Sequence, residues 1–375
     1  MICQPRRDGE PRRSRQRVSL PCAHRVSTLP EIQLPSDVRV ERVACPMGCE
    51  ASDRVVVVGA DRVAGVAGRF TVVACETCGL MRTDPRPTPE TIGAYYPSSY
   101  TPYVSTQAPV AASAARARPP WRRLASAALG SNASRLPPMA PTRALEIGCA
   151  SGAYLAYLAS LGWDVVGVEP SESAAEYARA RGFEVHTTTV ERLPSFASPF
   201  QLVVGWMVLE HVHDPRQCLE RLHQETCPGA MMVVSVPNAG SAEMRVFGQD
   251  WFALQVPGHL FHYTPTTLAA LMRASGWKIE RTFHHRTLGN VWASLALVAD
   301  RSGRPKLAST IESTRRTRAF RLATWPTSWL AAALGQTGRM TVWARRIDGF
   351  RVRDETERSR PPLDVAASLS KGGHG

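Results

Sequence analysis

The sequence predicts an α/β protein, a doubly wound sheet of seven strands preceded by a small cysteine-bearing module. Three observations predict it. Across residues 143–169 (RALEIGCASGAYLAYLASLGWDVVGVE) a short apolar strand, a small-residue turn, a helix and a second buried strand follow one another. Strand-like and helix-like runs then alternate toward Arg346, as crossovers between parallel strands require. Ahead of them, two close cysteine pairs bracket a valine-rich stretch.

Taken in order, residues 1–40 are rich in Arg, Pro and Ser without periodicity and read as a disordered basic arm. Residues 41–103 form the module. Its pairs, Cys45-Pro46-Met47-Gly48-Cys49 and Cys75-Glu76-Thr77-Cys78-Gly79, enclose strand-like runs at 55–58 and 70–73, with Gly65 and Gly68 between them. A hairpin there brings the pairs together. Four thiolates suit one tetrahedral zinc ion, and a site closed by four protein ligands is structural. Unliganded core thiols are the alternative reading. A proline- and tyrosine-rich segment, 83–103, either packs the module onto the main body or caps a site. Residues 104–142 read as a linker with one short helix near 121–129.

The main domain is expected at 143–347. Its strands are 144–147, 165–168, 183–186, 200–205, 231–236, 277–283 and 340–346, the last antiparallel inside the sheet. Ser171, Asp214 and Thr264-Pro265 open helices. Residues 286–338 interrupt this order as an insertion, and 348–375 read as a disordered tail.

Composition bounds the partners. The 375 residues, 44% of them hydrophobic, are enough for one full α/β domain and a smaller module. A formal charge of +13 invites nucleic acid, but lysine occurs only at Lys278, Lys306 and Lys371, and the arginine skew is a weak sign of a binding surface. No apolar run is long enough to span a bilayer, and no apolar h-region follows the basic N-terminus, so a cytoplasmic protein is expected. Nine cysteines, an odd number partly in close pairs, suit reduced thiols or metal rather than a disulfide framework.

The 148–152 turn indicates the ligand class. Gly148 and Gly152 let a ligand approach the backbone near a helix N-terminus, and Glu169 follows at the roughly 20-residue spacing suited to ribose hydroxyls. The G-x-G-x-x-G spacing of a dinucleotide site is absent. What stands there, Glu146-Ile147-Gly148-x-x-x-Gly152, resembles the first motif of class I S-adenosylmethionine (SAM) methyltransferases, with Ala150 where that family often has glycine. Further motifs resemble a bacterial subgroup with an N-terminal cysteine ribbon. They are Cys75-Glu76-Thr77-Cys78-Gly79-Leu80, Asp84-Pro85-Arg86-Pro87, Leu209-Glu210-His211-Val212, Val236-Pro237-Asn238 and Gly258-His259-Leu260-Phe261-His262-Tyr263-Thr264.

The resemblance implies a Rossmann-like methyltransferase sheet with SAM as donor. It puts Glu146 near the methionine portion, Gly148 and Gly152 at the turn, Glu169 on the ribose, and Trp206 and Met207 along the pocket. Glu191 or a backbone group would hold the adenine amine. His211, oriented by Glu210, and His259 and His262 are the candidate bases. In related quinone-pathway enzymes a similar Glu-His stretch takes part in metal binding with one more acid, whose place Met207 takes. The zinc ligands would be Cys45, Cys49, Cys75 and Cys78. The expected acceptor is a small molecule, a sugar or secondary metabolite. An RNA acceptor is the alternative, and a non-catalytic binding module is a third reading.

Overall fold

The computed structural model describes residue 35 and residues 37–50, 52–62, 65–96 and 136–351. Residues 1–34 and 36 of the expected arm at 1–40, the short helix near 121–129, and residues 352–375 of the expected tail at 348–375 lie outside the described residues.

The N-terminal module carries β1 (Val40–Glu41), β2 (Asp53–Ala60), β3 (Arg69–Cys75), β4 (Met81–Thr83) and β5 (Arg86–Pro87). The hairpin expected between the cysteine pairs is present as antiparallel β2 and β3. After it come β6 (Arg143–Ile147), α1 (Ala153–Ser160), β7 (Asp164–Val168), α2 (Glu172–Arg179), β8 (Glu184–His186) and β9 (Phe200–Trp206). The chain continues through α3 (Pro215–Gln224), β10 (Thr226–Pro237), α4 (Ala242–Phe247), β11 (Phe261–His262), α5 (Pro265–Ala274) and β12 (Trp277–His284). Four helices, α6 (Gly289–Arg301), α7 (Pro305–Arg315), α8 (Arg318–Ala323) and α9 (Trp325–Ala333), fill the insertion before β13 (Arg339–Arg346).

Seven strands form the main sheet in the order β12-β13-β10-β9-β6-β7-β8. Strands β8, β7, β6, β9 and β10 run parallel, and β13 pairs antiparallel with both β10 and β12. The central strands are continuous apolar runs because helices cover both faces; Leu145, Val166, Val203 and Val233 are fully buried. The helix starts follow local chemistry. Ser171 Oγ accepts from Ala174 N–H, Asp214 from Gln217 N–H, and Thr264 and Thr267 make a reciprocal box with Pro265 at the first helical position. Strand order reverses beside β6, so the ends of β6 and β9 open a crevice where such sheets bind ligands.

One pairing escapes the sequence. Strand β11, drawn from the later half of the chain, pairs with β4 and completes a four-stranded sheet in the order β11-β4-β3-β2. The module is therefore sewn into the main body. At its centre Arg82, 4% exposed, donates to both carboxylate oxygens of Asp53 (2.8 and 2.6 Å) and to Val43 O (3.0 Å). Removing the acid strands a buried guanidinium. Asp53→Ala is expected to cost about 3 kcal/mol, read as a lower urea midpoint with an unchanged m-value.

Candidate active site

The crevice starts from three left-handed residues after β6: Gly148 (φ +64°), Ala150 (φ +45°) and Gly152 (φ +75°). A Cβ on Gly148 would meet Val208 Cγ2 at 2.5 Å, and one on Gly152 would meet Ala178 Cβ at 2.9 Å. Glycine is required at both. Ala150 adopts the same strained region with its Cβ, and its N–H is held by Glu169 Oε2 (2.9 Å). The other oxygen of Glu169 accepts from Ser171 N–H (2.9 Å). Burial pushes the Glu169 carboxyl upward in pKa, and those two amides pull the other way.

Several buried polar atoms in the crevice have no partner: Glu146 Oε2, Ser151 Oγ, Tyr154 OH and Trp206 Nε1. Glu146 is buried and its pKa is raised well above the usual range by that burial. Tyr154 packs edge-on to Trp206 at 5.0 Å, and Met207 beyond it has φ +58°. Unpartnered buried atoms of this kind are rare in proteins, so they mark where a polar ligand completes the structure. A glycine cradle with a carboxyl and a phenol reserved beside it suits a ligand with amino, carboxylate and ribose groups, as SAM has. Glu191, the candidate for the adenine, has its Oε1 on His213 N–H (3.2 Å).

Beyond β9 the chain makes a tight turn at Leu209–His211. It brings Glu210, His211 and His259 together, with one ligand atom of each inside 4.8 Å, a spacing that also permits a shared cation. His262 stands outside this group, its Nε2 facing Thr83 Oγ1 (3.2 Å) at the module. The sequence expects Glu210 to orient His211, but neither Glu210 oxygen has a partner. The imidazole is held instead by Tyr96 OH (2.8 Å) and Gly258 O (2.9 Å), both at Nδ1. Tyr96 OH itself donates to Gly258 O (3.0 Å), which assigns the shared proton of the Tyr96–His211 bond to Nδ1 and leaves Nε2 as an acceptor. Burial lowers the His211 pKa to about 4 and that of His262 to about 3, while it raises that of Glu210 to about 8. His259, bonded through Nδ1 to Ala253 O (2.9 Å), is likewise held neutral by burial and by His211.

The four module cysteines meet as the sequence expects, their sulfurs within 4.8 Å of one another and Cys45 Sγ 3.5 Å from Cys78 Sγ. Gly48 (φ +74°) and Gly79 (φ +73°) make the two turns, each donating its N–H to the first cysteine of its pair. The bond to Cys78 and burial raise the Cys45 pKa, and burial and nearby thiols raise that of Cys49 to about 12. Crowded sulfurs that resist ionisation singly fit a divalent cation that neutralises them together.

Sequence reasoning did not single out Tyr96, Tyr154 or Arg339. Tyr96 lies 115 positions from His211, and only the fold joins them.

Residues 118–282 match a family model described as a methyltransferase domain. Curated relatives include the ubiquinone biosynthesis O-methyltransferases of Cereibacter sphaeroides (30% identical over 151 residues, 37% of this chain and 61% of that protein) and Azorhizobium caulinodans (30% over 163 residues, 40% and 64%). The chain thus spans about three fifths of the length of these relatives. Among solved structures, a SAM-dependent methyltransferase from Mesorhizobium loti is 20% identical, with a TM-score of 0.38 over 56% of this chain and 94% of that one. Residues 118–282 are thus similar to SAM-dependent methyltransferase domains of class I.

Proposed function

We propose that the chain transfers the methyl group of SAM to a hydroxyl of a small-molecule acceptor, a sugar or a secondary metabolite, in the cytoplasm. The observation that carries this reading is the packing of the His211 turn onto the glycine turn, where Val208 occupies the space a Gly148 side chain would need. A proton acceptor and a ligand cradle are thereby adjacent. Relatives named as O-methyltransferases support the attacking atom and a small acceptor. The RNA alternative finds no support among them. Among the described residues no helix is long and apolar enough to cross a membrane. The cytoplasm is the compartment that keeps cysteine thiols reduced.

When bound, SAM supplies a methyl group made electrophilic by its sulfonium. Glu146 would hold the amino end, Glu169 the ribose, and Trp206 and Met207 would flank the pocket. Each Glu169 oxygen accepts one backbone N–H and keeps a lone-pair direction for a hydroxyl. His211 Nε2 takes the acceptor's proton. Its imidazole is neutral at working pH, and the Nδ1 contacts fix the ring. Cys45, Cys49, Cys75 and Cys78 would hold a structural zinc ion whose part is to set the module, with no open position for a reactant.

A screen with methyl-labelled SAM over sugars, phenolic metabolites and ribosomal RNA tests the reading, together with calorimetry of S-adenosylhomocysteine. Binding by the wild type and a Kd raised about tenfold or more by Gly148→Ala are expected, since the variant strains a left-handed residue against Val208. Labelled RNA with no labelled small molecule would count against it.

His211→Ala should lower kcat roughly 100-fold with S-adenosylhomocysteine affinity unchanged, and Tyr96→Phe should lower it about three- to tenfold. A folded pKa below that of free imidazole keeps the base neutral in acid, so the acid limb of kcat/KM should fall well below pH 6.5, toward about 4. Elemental analysis of the purified chain should find one zinc per chain. Cys75→Ser should lose that metal together with thermal stability.

A further inference from the structure

Arg339 opens β13 at the carboxyl edge of the sheet, opposite Pro237 of β10, and its carbonyl accepts from His285 N–H (3.1 Å). The charges of Glu210, on the turn after β9, and Glu243 of α4 act on its guanidinium, and its own charge acts on His259 before β11 and His285 after β12. Among the described residues none of them makes a hydrogen bond to it or an ion pair within 4.0 Å. Glu243 is committed elsewhere, with Oε1 on Gly338 N–H (2.8 Å) and Oε2 on Trp251 Nε1–H (3.3 Å). Both Glu210 oxygens are buried without a hydrogen-bond partner. His259 Nδ1 is bonded to Ala253 O (2.9 Å) and His285 Nε2 to Thr341 Oγ1 (2.7 Å).

The result is a cation, charged at every working pH, that is only partly exposed and keeps its N–H fork uncommitted. Desolvating such a group is costly unless something completes it. A planar fork matches two oxygens of one carboxylate or phosphate, and such pairs are the strongest hydrogen bonds available to a side chain. Arg339 stands at the carboxyl edge of the sheet, the edge from which the turn carrying Glu210 and His211 also leaves β9.

We propose that Arg339 binds an anionic group of the acceptor, a carboxylate or a phosphate, and so presents the acceptor's hydroxyl to His211. The inference rests on the methyltransferase reading, which makes this edge the acceptor side, and it narrows the acceptor to anionic molecules. Arg339 is then a specificity residue that takes no part in proton transfer.

The test titrates the full chain, saturated with S-adenosylhomocysteine, with benzoate in one arm and inorganic phosphate in the other, at constant chloride and ionic strength. Wild type should bind at least one of them in calorimetry, and the arm that binds identifies the anion. Arg339→Gln should weaken that binding about tenfold or more, with S-adenosylhomocysteine affinity unchanged. Arg339→Lys, which keeps the charge and loses the fork, should fall between the two and guards against a loss that merely reports unfolding. Binding of neither anion by wild type, or equal binding by wild type and Arg339→Gln, overturns the proposal. Failure of S-adenosylhomocysteine to bind wild type overturns instead the methyltransferase reading beneath it.

Discussion

A buried carboxylate holds the crevice open. Glu169, at the end of β7, spends one oxygen on Ala150 N–H and the other on Ser171 N–H, both at 2.9 Å. The first bond pins the only non-glycine among the three left-handed residues of the turn, and the second starts the chain toward α2. Burying a carboxylate is unfavourable, and two amide donors offset that cost only while the turn keeps its shape. Neighbouring strands are thereby locked in the arrangement that keeps Gly148 and Gly152 facing a ligand. The acid that the sequence assigns to a ribose has a structural duty as well, and its remaining lone pairs allow it to serve both.

The N-terminal module is part of the same device. Thr83 N–H donates to Leu260 O (2.9 Å), and Leu260 N–H donates to Glu210 O (2.7 Å), so a ladder of backbone bonds runs from β4 to the turn that carries His211. Thr83 Oγ1 adds a bond to His259 O (2.8 Å), and Tyr96 completes the contact at His211. The cysteine cluster lies on this path, since Cys75 ends β3 and its N–H donates to Leu80 O just before β4. A metal at that cluster would hold the pairing of β3 and β4, and through it the position of His211.

Much of this was legible in the sequence, for identifiable reasons. Strands β6, β7 and β9 are mostly apolar runs that suit a sheet covered on both faces, and Ser171, Asp214 and Thr264 mark helix starts by side-chain chemistry that needs no tertiary context. Strand β10 runs longer than expected, Thr226–Pro237, because Pro228 and Gly229 argue against a strand locally while its register shifts there. The two-residue β11 carries no periodic signal at all. The expected bond from Glu210 to His211 fails because adjacent residues on a tight turn point apart, and the ring instead finds partners 47 and 115 positions away. Arg339 was invisible for a related reason. An arginine at a strand start is ordinarily solvated, and only the fold brings the charges of distant Glu210 and Glu243 to bear on this one.

The electrostatics of the crevice give the arrangement its direction. Burial disfavours ionisation of Glu210, His211 and His259, and the Arg339 guanidinium carries a fixed positive charge near them. A bound sulfonium would place a second positive charge nearby. Two cations behind low-dielectric walls attract an anion and repel a cation, and the effect acts during approach as well as in the bound state. On the proposed reading, the burial of Glu210 without a hydrogen-bond partner would spare that field and leave a neutral imidazole at His211.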